Sequence, residues 1–330
     1  MFIGLVVNPR ARKNRGAPEG RVARLRRALG EHGVVRVTTS TDALDDALDG
    51  LLGRCTHLVS DGGDGALNWL LDAVRARVPD PRDWPAFVPT NGGTIDFVAR
   101  KAGVRGQALG IAEALARAAS DGRAPRCVEL DSLAIRGETL DGAPFDRVGF
   151  ALAAGGIGNR FFDKYYDDPE PRPATIVRVI ARSVGELALS QISSSFDGGY
   201  ASHVFAPTLA RVAIDGEELP HTRHAGIHAG AFDVNLGGVL RVFPFARPAG
   251  QLHFQAGALS PMAIVANLPA IAAGGAIRGP QLRDTVGRTM RVEALGEPLR
   301  PILDGERFEG LRVIEVGCGP NVRVAVVDGR

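Results

Sequence analysis

Asp61-Gly62-Gly63-Asp64-Gly65-Ala66-Leu67-Asn68 follows a short apolar strand candidate, Leu58 to Ser60, and opens an amphipathic helix continued by Trp69, Leu70 and Ala73. Three glycines within four positions let a backbone turn sharply and approach a ligand without Cβ interference. The unsatisfied amides of the following helix's first turn favour an anion. The stretch therefore reads as a phosphate site, with Asp64 where a metal bridging phosphates could be held.

Upstream and downstream of it, strand and helix signals alternate. Phe2 to Val7 is a continuous apolar run suited to a buried parallel strand, and Val22, Leu25 and Leu29 then recur at helical spacing. Val34 to Thr38 reads as a second strand. Thr41-Asp42 starts a helix with Leu44, Leu48, Leu51 and Leu52 on one face, and Ala86 to Pro89 is a further strand. Thr90-Asn91-Gly92-Gly93-Thr94 and a short helix through Arg100 follow it. This order predicts a parallel sheet covered on both faces, which binds ligands beyond the carboxyl ends of its strands. Asn8, Thr38, the Asp61–Gly65 turn and the Thr90–Thr94 turn all emerge at that edge.

Past Cys127 the pattern changes to short β-type segments punctuated by Gly, Pro and Asp-Gly: Val128 to Ile135, Val148 to Ala153, Val204 to Ile214, Val239 to Phe243, Leu252 to Gln255, Met290 to Ala294 and Leu311 to Val316. They predict a mainly antiparallel sandwich, interrupted by helices near Ala174 to Gln191 and Pro261 to Ala273. The domains are accordingly set at 1–126, with 321–330 as a candidate completion, and 127–320. Gly155-Gly156-Ile157-Gly158-Asn159 is read as a bend in a sandwich strand, because no convincing amphipathic helix follows it. His221, His224 and His228, with His253 beyond, lie in a region that reads as strand and turn rather than helix, and they read as structural rather than metal-binding. Phe161, Phe162, Tyr165 and Tyr166 suit either core packing or an acyl-chain pocket.

Composition narrows the class. The 330 residues are 45% hydrophobic and 23% charged, with a net charge of +2, which gives no global attraction to nucleic acid. Basic residues nevertheless crowd the start of the chain: Arg10, Arg12, Lys13, Arg15, Arg21, Arg24, Arg26 and Arg27. They suit phosphates or anionic headgroups if the loop members act, and a solvated helix face otherwise. Cys55, Cys127 and Cys318 are too scattered for a disulfide framework or a zinc site. With no spanning apolar run and no signal-peptide pattern, the expected location is cytoplasmic, with peripheral contact at the inner membrane surface.

The Asp61–Gly65 turn, the run from Pro89 to Arg100, the late Leu303-Asp304-Gly305-Glu306 and the opening strand ending in Val7-Asn8-Pro9 resemble the diacylglycerol kinase catalytic domain superfamily, which includes sphingosine kinases and bacterial lipid kinases. The resemblance spans nearly the whole chain. It implies an α/β nucleotide-binding domain of the NAD kinase/diacylglycerol kinase type, followed by an antiparallel β-sandwich that takes a lipid substrate. The implied activity is transfer of the γ-phosphoryl group of ATP, with Mg²⁺, to a lipid hydroxyl between the two domains. By position, Gly62, Gly63, Asp64 and Gly65, with Asn68 closing the same stretch, hold the ATP phosphates and Mg²⁺. Asn8 and Thr38 line the nucleotide pocket, and Gly92, Gly93 and Thr94 complete its wall. Asp304 matches the general base and Glu306 the acidic residue beside it. The plainer reading of Asp304-Gly305 is a β-turn, as for Asp141-Gly142, Asp197-Gly198 and Asp215-Gly216.

The chain departs from the family pattern at several points. Ala66 stands where Thr is usual, Asp96 where Asn is usual, and Arg10-Ala11-Arg12-Lys13 where Ser-Gly follows the Asn-Pro pair. Ala249 stands where many bacterial relatives have the Asp of a structural Mg²⁺ site, so that site is not expected. Asp96 suits either capping of its own short helix or a ligand role. Two further readings follow: an NAD kinase or phosphofructokinase-like enzyme, and a weakened member that binds lipid or nucleotide without transfer.

Overall fold

Ile3–Val7 is apolar at every position but Gly4 and buried throughout, which places it in the interior of a parallel sheet rather than at an edge. The computed structural model describes residues 1–14, 18–193 and 198–330. Arg15 of the basic cluster and Asp197 of one expected Asp-Gly turn lie outside the described residues. In chain order the first elements are β1 (Ile3–Val7), α1 (Pro18–Leu29), β2 (Gly33–Val37), α2 (Thr41–Asp49), β3 (His57–Asp61), α3 (Asp64–Arg77), β4 (Ala86–Pro89), α4 (Phe97–Ala102), β5 (Arg105–Gly106), α5 (Ala108–Ser120) and β6 (Cys127–Leu130). The sheet order is β2-β1-β3-β4, then a strand from the far end of the chain, Val322–Ala325, then β6. The first four strands pair in parallel, and Val322–Ala325 is parallel to β4 but antiparallel to β6. One compact unit thus comprises Met1–Leu130 with Pro320–Arg330, and Asp131–Gly319 forms the other.

The second unit contains β7 (Leu133–Thr139), β8 (Pro144–Gly149), β9 (Ala151–Gly156), α6 (Ile157–Tyr166), α7 (Pro173–Ser190), α8 (Tyr200–Val204), β10 (Thr208–Ile214), β11 (Glu217–Glu218), β12 (Arg223–His224), β13 (Gly226–Gly230), β14 (Val234–Leu236), β15 (Leu240–Val242), β16 (Leu252–Ala258), α9 (Pro261–Ala273), β17 (Gln281–Gly287), β18 (Met290–Ala294), β19 (Ile302–Leu303), β20 (Glu306–Arg307) and β21 (Leu311–Cys318). They build two antiparallel sheets, β11-β10-β18-β21-β7-β8 and β17-β16-β13-β9-β19-β20, the layers of a β-sandwich. Phe150, buried between β8 and β9, is the corner where the chain changes sheets.

Some expected boundaries move, each for a physical reason. Val128 to Ile135 is two strands of different sheets, broken at Asp131-Ser132. Val148 to Ala153 is likewise divided by Phe150, and Val204 ends a short helix before β10 begins at Thr208. Gly155-Gly156 does not bend a strand onward: it ends β9, and α6 starts at Ile157. Gly156 takes φ 71° and ψ −144°, which side-chain-bearing residues avoid, and Ile157 donates its amide to Ala225 at 2.7 Å. The strands β13 and β17 escape sequence reading because one is mostly small residues and the other is polar and charged at an edge of its sheet.

Candidate active site

Asn8, Thr38, Gly62 and Thr90 follow the carboxyl ends of β1, β2, β3 and β4 in turn. The two glycine loops meet there. Gly92 donates its amide to the Gly62 carbonyl at 3.1 Å. A Cβ on Gly93 would lie 2.6 Å from Gly63 Cα, and one on Gly92 would lie 2.8 Å from the Gly62 carbonyl oxygen. None of Gly62, Gly63, Gly65, Gly92 and Gly93 has positive φ. Gly63, Gly92 and Gly93 are therefore required for close approach of loop to loop, and the torsional freedom of the five is not used. Ala66 belongs to the same packing, since its Cβ occupies the space a Gly62 side chain would need.

Among the side-chain-bearing residues of the candidate site, positive φ falls on two aspartates, Asp96 at 52° and Asp304 at 50°. Such a backbone costs roughly 1 kcal/mol or more and persists only where surrounding contacts impose it. At Asp96 the carboxylate accepts the Gly93 amide at 2.8 Å and lies 3.8 Å from Lys13 Nζ. It does not cap α4, as the sequence allowed. Asp64 does: its two oxygens accept the amides of Phe97 and Val98 at 3.1 and 3.0 Å, tying the first turn of α3 to the first turn of α4. Burial, and then the neighbouring Asp96, push the Asp64 carboxyl up to about 7, and burial also raises Asp96.

Asp64, expected to meet Mg²⁺ through the ATP phosphates, is already engaged. Both of its oxygens serve backbone amides, and among the described residues no group of three His, Cys, Asp or Glu side chains is disposed to hold an ion. Mg²⁺ at this edge would have to be carried by a ligand's own phosphates, and no step is derived through a protein-held ion.

Asp61 is clamped by an arginine that sequence reasoning left open as part of a solvated face. Arg21 of α1 reaches its carboxylate at 2.8 and 2.9 Å, and Thr90 Oγ1 adds a bond at 3.3 Å. Asn14 was missed altogether. Its Nδ2 donates to the carbonyls of Asn8 and Asp61 at 2.8 and 2.9 Å, while its Oδ1 is buried without a hydrogen-bond partner among the described residues. Lys13 donates its amide to Gly92 at 3.3 Å and its ammonium to the Asn91 carbonyl. The Arg10–Lys13 segment is thus stitched to the second glycine loop. Thr38 closes against Val7, Asn68 is buried on α3, and Thr94 is half-buried.

In the second unit, Asp304-Gly305 is the two-residue turn of the β19–β20 hairpin, with both φ values positive as a type I′ turn requires. The buried Asp304 carboxylate folds back onto the sheet corner, its Oδ1 accepting the amides of Phe150 and Ala151 at 3.0 and 2.8 Å. Asp215-Gly216 repeats this device at the β10–β11 hairpin, with Oδ1 accepting the amides of Arg288 and Thr289 at 2.8 Å each. What separates the two is burial, since Asp304 is only 5% exposed while Asp215 faces solvent. Tyr166 of α6 donates its hydroxyl to the Gly305 carbonyl at 2.8 Å, joining the Phe161-Phe162-Tyr165-Tyr166 ring cluster to this turn. Glu306 is half-buried on β20.

His224, His228 and His253 belong to sheet strands, and His221 packs its ring on His224. His253 lies 2.6 Å from Asp284, His224 Nε2 is 3.2 Å from the Ala210 carbonyl, and His228 packs against Gly158 and Gly226. Burial pulls His224 and His228 down to about 4. At Ala249 the backbone is left-handed, with φ 65°, in the turn closed by Arg247 and Gln251.

Comparison with solved structures gives the class of this architecture. A diacylglycerol kinase from Bacillus anthracis str. Sterne superposes with a TM-score of 0.58 at 14% identity, over 99% of this chain and 97% of its own. Two more structures from that organism, each provisionally named a diacylglycerol kinase, give TM-scores of 0.64 and 0.60 at 13% and 15% identity, over 99% of this chain and 94% of theirs. No protein-family profile matches the sequence, and no curated protein does. The chain therefore has the diacylglycerol kinase fold, a parallel-sheet unit joined to an antiparallel β-sandwich.

Proposed function

We propose that this protein is a kinase that moves the γ-phosphoryl group of ATP onto a lipid hydroxyl, the first unit binding nucleotide and the second the acceptor. The observation that carries this reading is the start of α3. The helix begins at the carboxyl edge of a parallel sheet, and its N-cap, Gly63, offers no side chain to the first-turn amides. Those amides suit a phosphate, and the unpartnered Asn14 Oδ1 at the same edge suits a ligand N–H or O–H. Phosphoryl transfer asks mainly for positioning and charge neutralisation, which backbone donors and the nucleotide's Mg²⁺ supply. Asp304 then takes the proton of the attacking hydroxyl.

The duplicated turn provides an internal control. Asp304→Asn keeps an Oδ1 for both backbone amides but removes the base, whereas Asp215→Asn alters a matched turn with no expected role in transfer. With labelled ATP, Mg²⁺ and a lipid extract, wild type and Asp215→Asn should yield phosphorylated lipid and Asp304→Asn should not, at similar melting temperatures. Equal transfer by both variants removes Asp304 as the base, and no transfer by wild type to any lipid sinks the proposal. A second reading, nucleotide binding without transfer, draws on the buried Asp64–Asp96 pair, which sets negative charge beside the proposed phosphate site once ionised. Calorimetric binding of Mg·ATP with no transfer would select it.

A further inference from the structure

From Val234 to Arg283 the chain carries four arginines and no aspartate or glutamate, in a protein with 37 acidic residues. Within that span, Leu259 to Ile277 holds no charged residue at all, and it contains the whole of α9. A thirteen-residue helix this apolar belongs in a core, yet only Ile264 of α9 is fully buried and Met262 is 52% exposed. Its length is too short to cross a bilayer, and no helix among the described residues is long and apolar enough to do so.

Two arginines adjoin α9. Arg241 of β15 packs against Gly274 at its C-terminal end, and Arg278 is pinned beside it by Asn267, which donates to the Arg278 carbonyl at 3.0 Å and accepts its amide at 2.9 Å. Arg241 is neutralised by Asp233. Arg278 is exposed and has no ion-pair partner among the described residues. Contacts continue from α9 through the β14–β15 hairpin, whose Gly237 abuts Ile176 of α7, then to α6 and the Asp304-Gly305 turn.

We infer that α9 is the element by which the second unit seats on an anionic phospholipid surface, its apolar length lying at the boundary between headgroups and acyl chains with Arg278 on the phosphates. The inference deepens the lipid-kinase reading by naming the docking element, but it rests on α9 and not on transfer. An apolar patch rimmed by free acid would repel such a surface; here the stretch itself carries none, and the two carboxylates that reach it are engaged inside the fold, Asp233 by Arg241 and the buried Asp284 by His253, Gln255 and the Ile277 amide, which leaves Arg278 as the exposed charge.

The test is sedimentation of the full chain, without nucleotide, with phosphatidylcholine vesicles containing or lacking phosphatidylglycerol. Wild type should partition onto the phosphatidylglycerol vesicles, less so at high salt. Met262→Glu and Arg278→Glu should each lose about tenfold or more in partitioning, with unchanged melting temperature. Wild type that ignores both vesicle types, variants that bind like wild type, or a solution dimer that Met262→Glu dissociates would each overturn the inference. If the lipid-kinase reading holds, the variants should also keep transfer onto a detergent-dispersed short-chain acceptor and lose it on vesicles. Vesicle binding with no transfer to any acceptor would sink that reading and leave this one standing.

Discussion

Asp64 is a carboxylate that two helices share and that resists charge. Its folded-state pKa, near 7, stands above the ordinary carboxylate value, so the folded protein holds this proton more tightly than the unfolded chain. Between about pH 4 and about pH 7 the unfolded state ionises first, and the contribution of Asp64 to stability falls as pH rises through that window. Urea unfolding of wild type and Asp64→Asn across the window should show any advantage of wild type shrinking with rising pH. A pH-independent difference would mean that Asp64 is not held protonated. Sequence reading places Asp64 at a helix start but not its bond to a second helix, because cap signatures are read within one segment and this cap reaches amides 33 and 34 positions away. The Arg21–Asp61 clamp, 40 positions apart, is hidden for the same reason.

At the scale of elements, the two glycine loops act as one packed layer. A methyl on Gly93 would sit 2.6 Å from Gly63 Cα and 2.7 Å from Asp96 Oδ1, and the backbone atom cannot step aside without opening the loop pair. Gly93→Ala should therefore lower the melting temperature by several degrees and weaken Mg·ATP binding in calorimetry. Gly20→Ala is the control: nothing lies within 4 Å of its added methyl, and in α1 it should stabilise by about 0.5–1 kcal/mol. Elements with a strong apolar signal were legible, the alternation of Met290–Ala294 and the unbroken apolar run of Pro261–Ala273 to the residue. Those lacking one, such as Gly226–Gly230, were not. Of the two reasons for which the glycine run stood out, the backbone uses the lack of a Cβ and not the torsional freedom.

For the whole molecule, the decisive connection is the strand Val322–Ala325 between β4 and β6. β6 pairs in its sheet only with that strand, through Val322↔Leu130 to Ala325↔Cys127, and Val322, Val324 and Ala325 are fully buried. Truncation after Gly319 should expose an edge of β4, strand β6 and the apolar surface they cover. The expected outcome is a first unit that aggregates or fails to melt cooperatively, read by calorimetry, and a cooperative transition like that of the intact chain would refute it. The sequence hinted at this closure only through a short apolar run near the end of the chain, since strand pairing across so long a separation leaves no local mark.

The same strand bears on how the protein is made. A ribosome delivers β1 to β6 early, then all of the sandwich, and only afterwards the residues that separate β4 from β6. Throughout that interval the nascent first unit carries an unfilled slot in its sheet, open to other chains, so rapid folding of the second unit and shielding by a chaperone favour the native product. The edge where the two glycine loops meet, built on the same sheet, matures last.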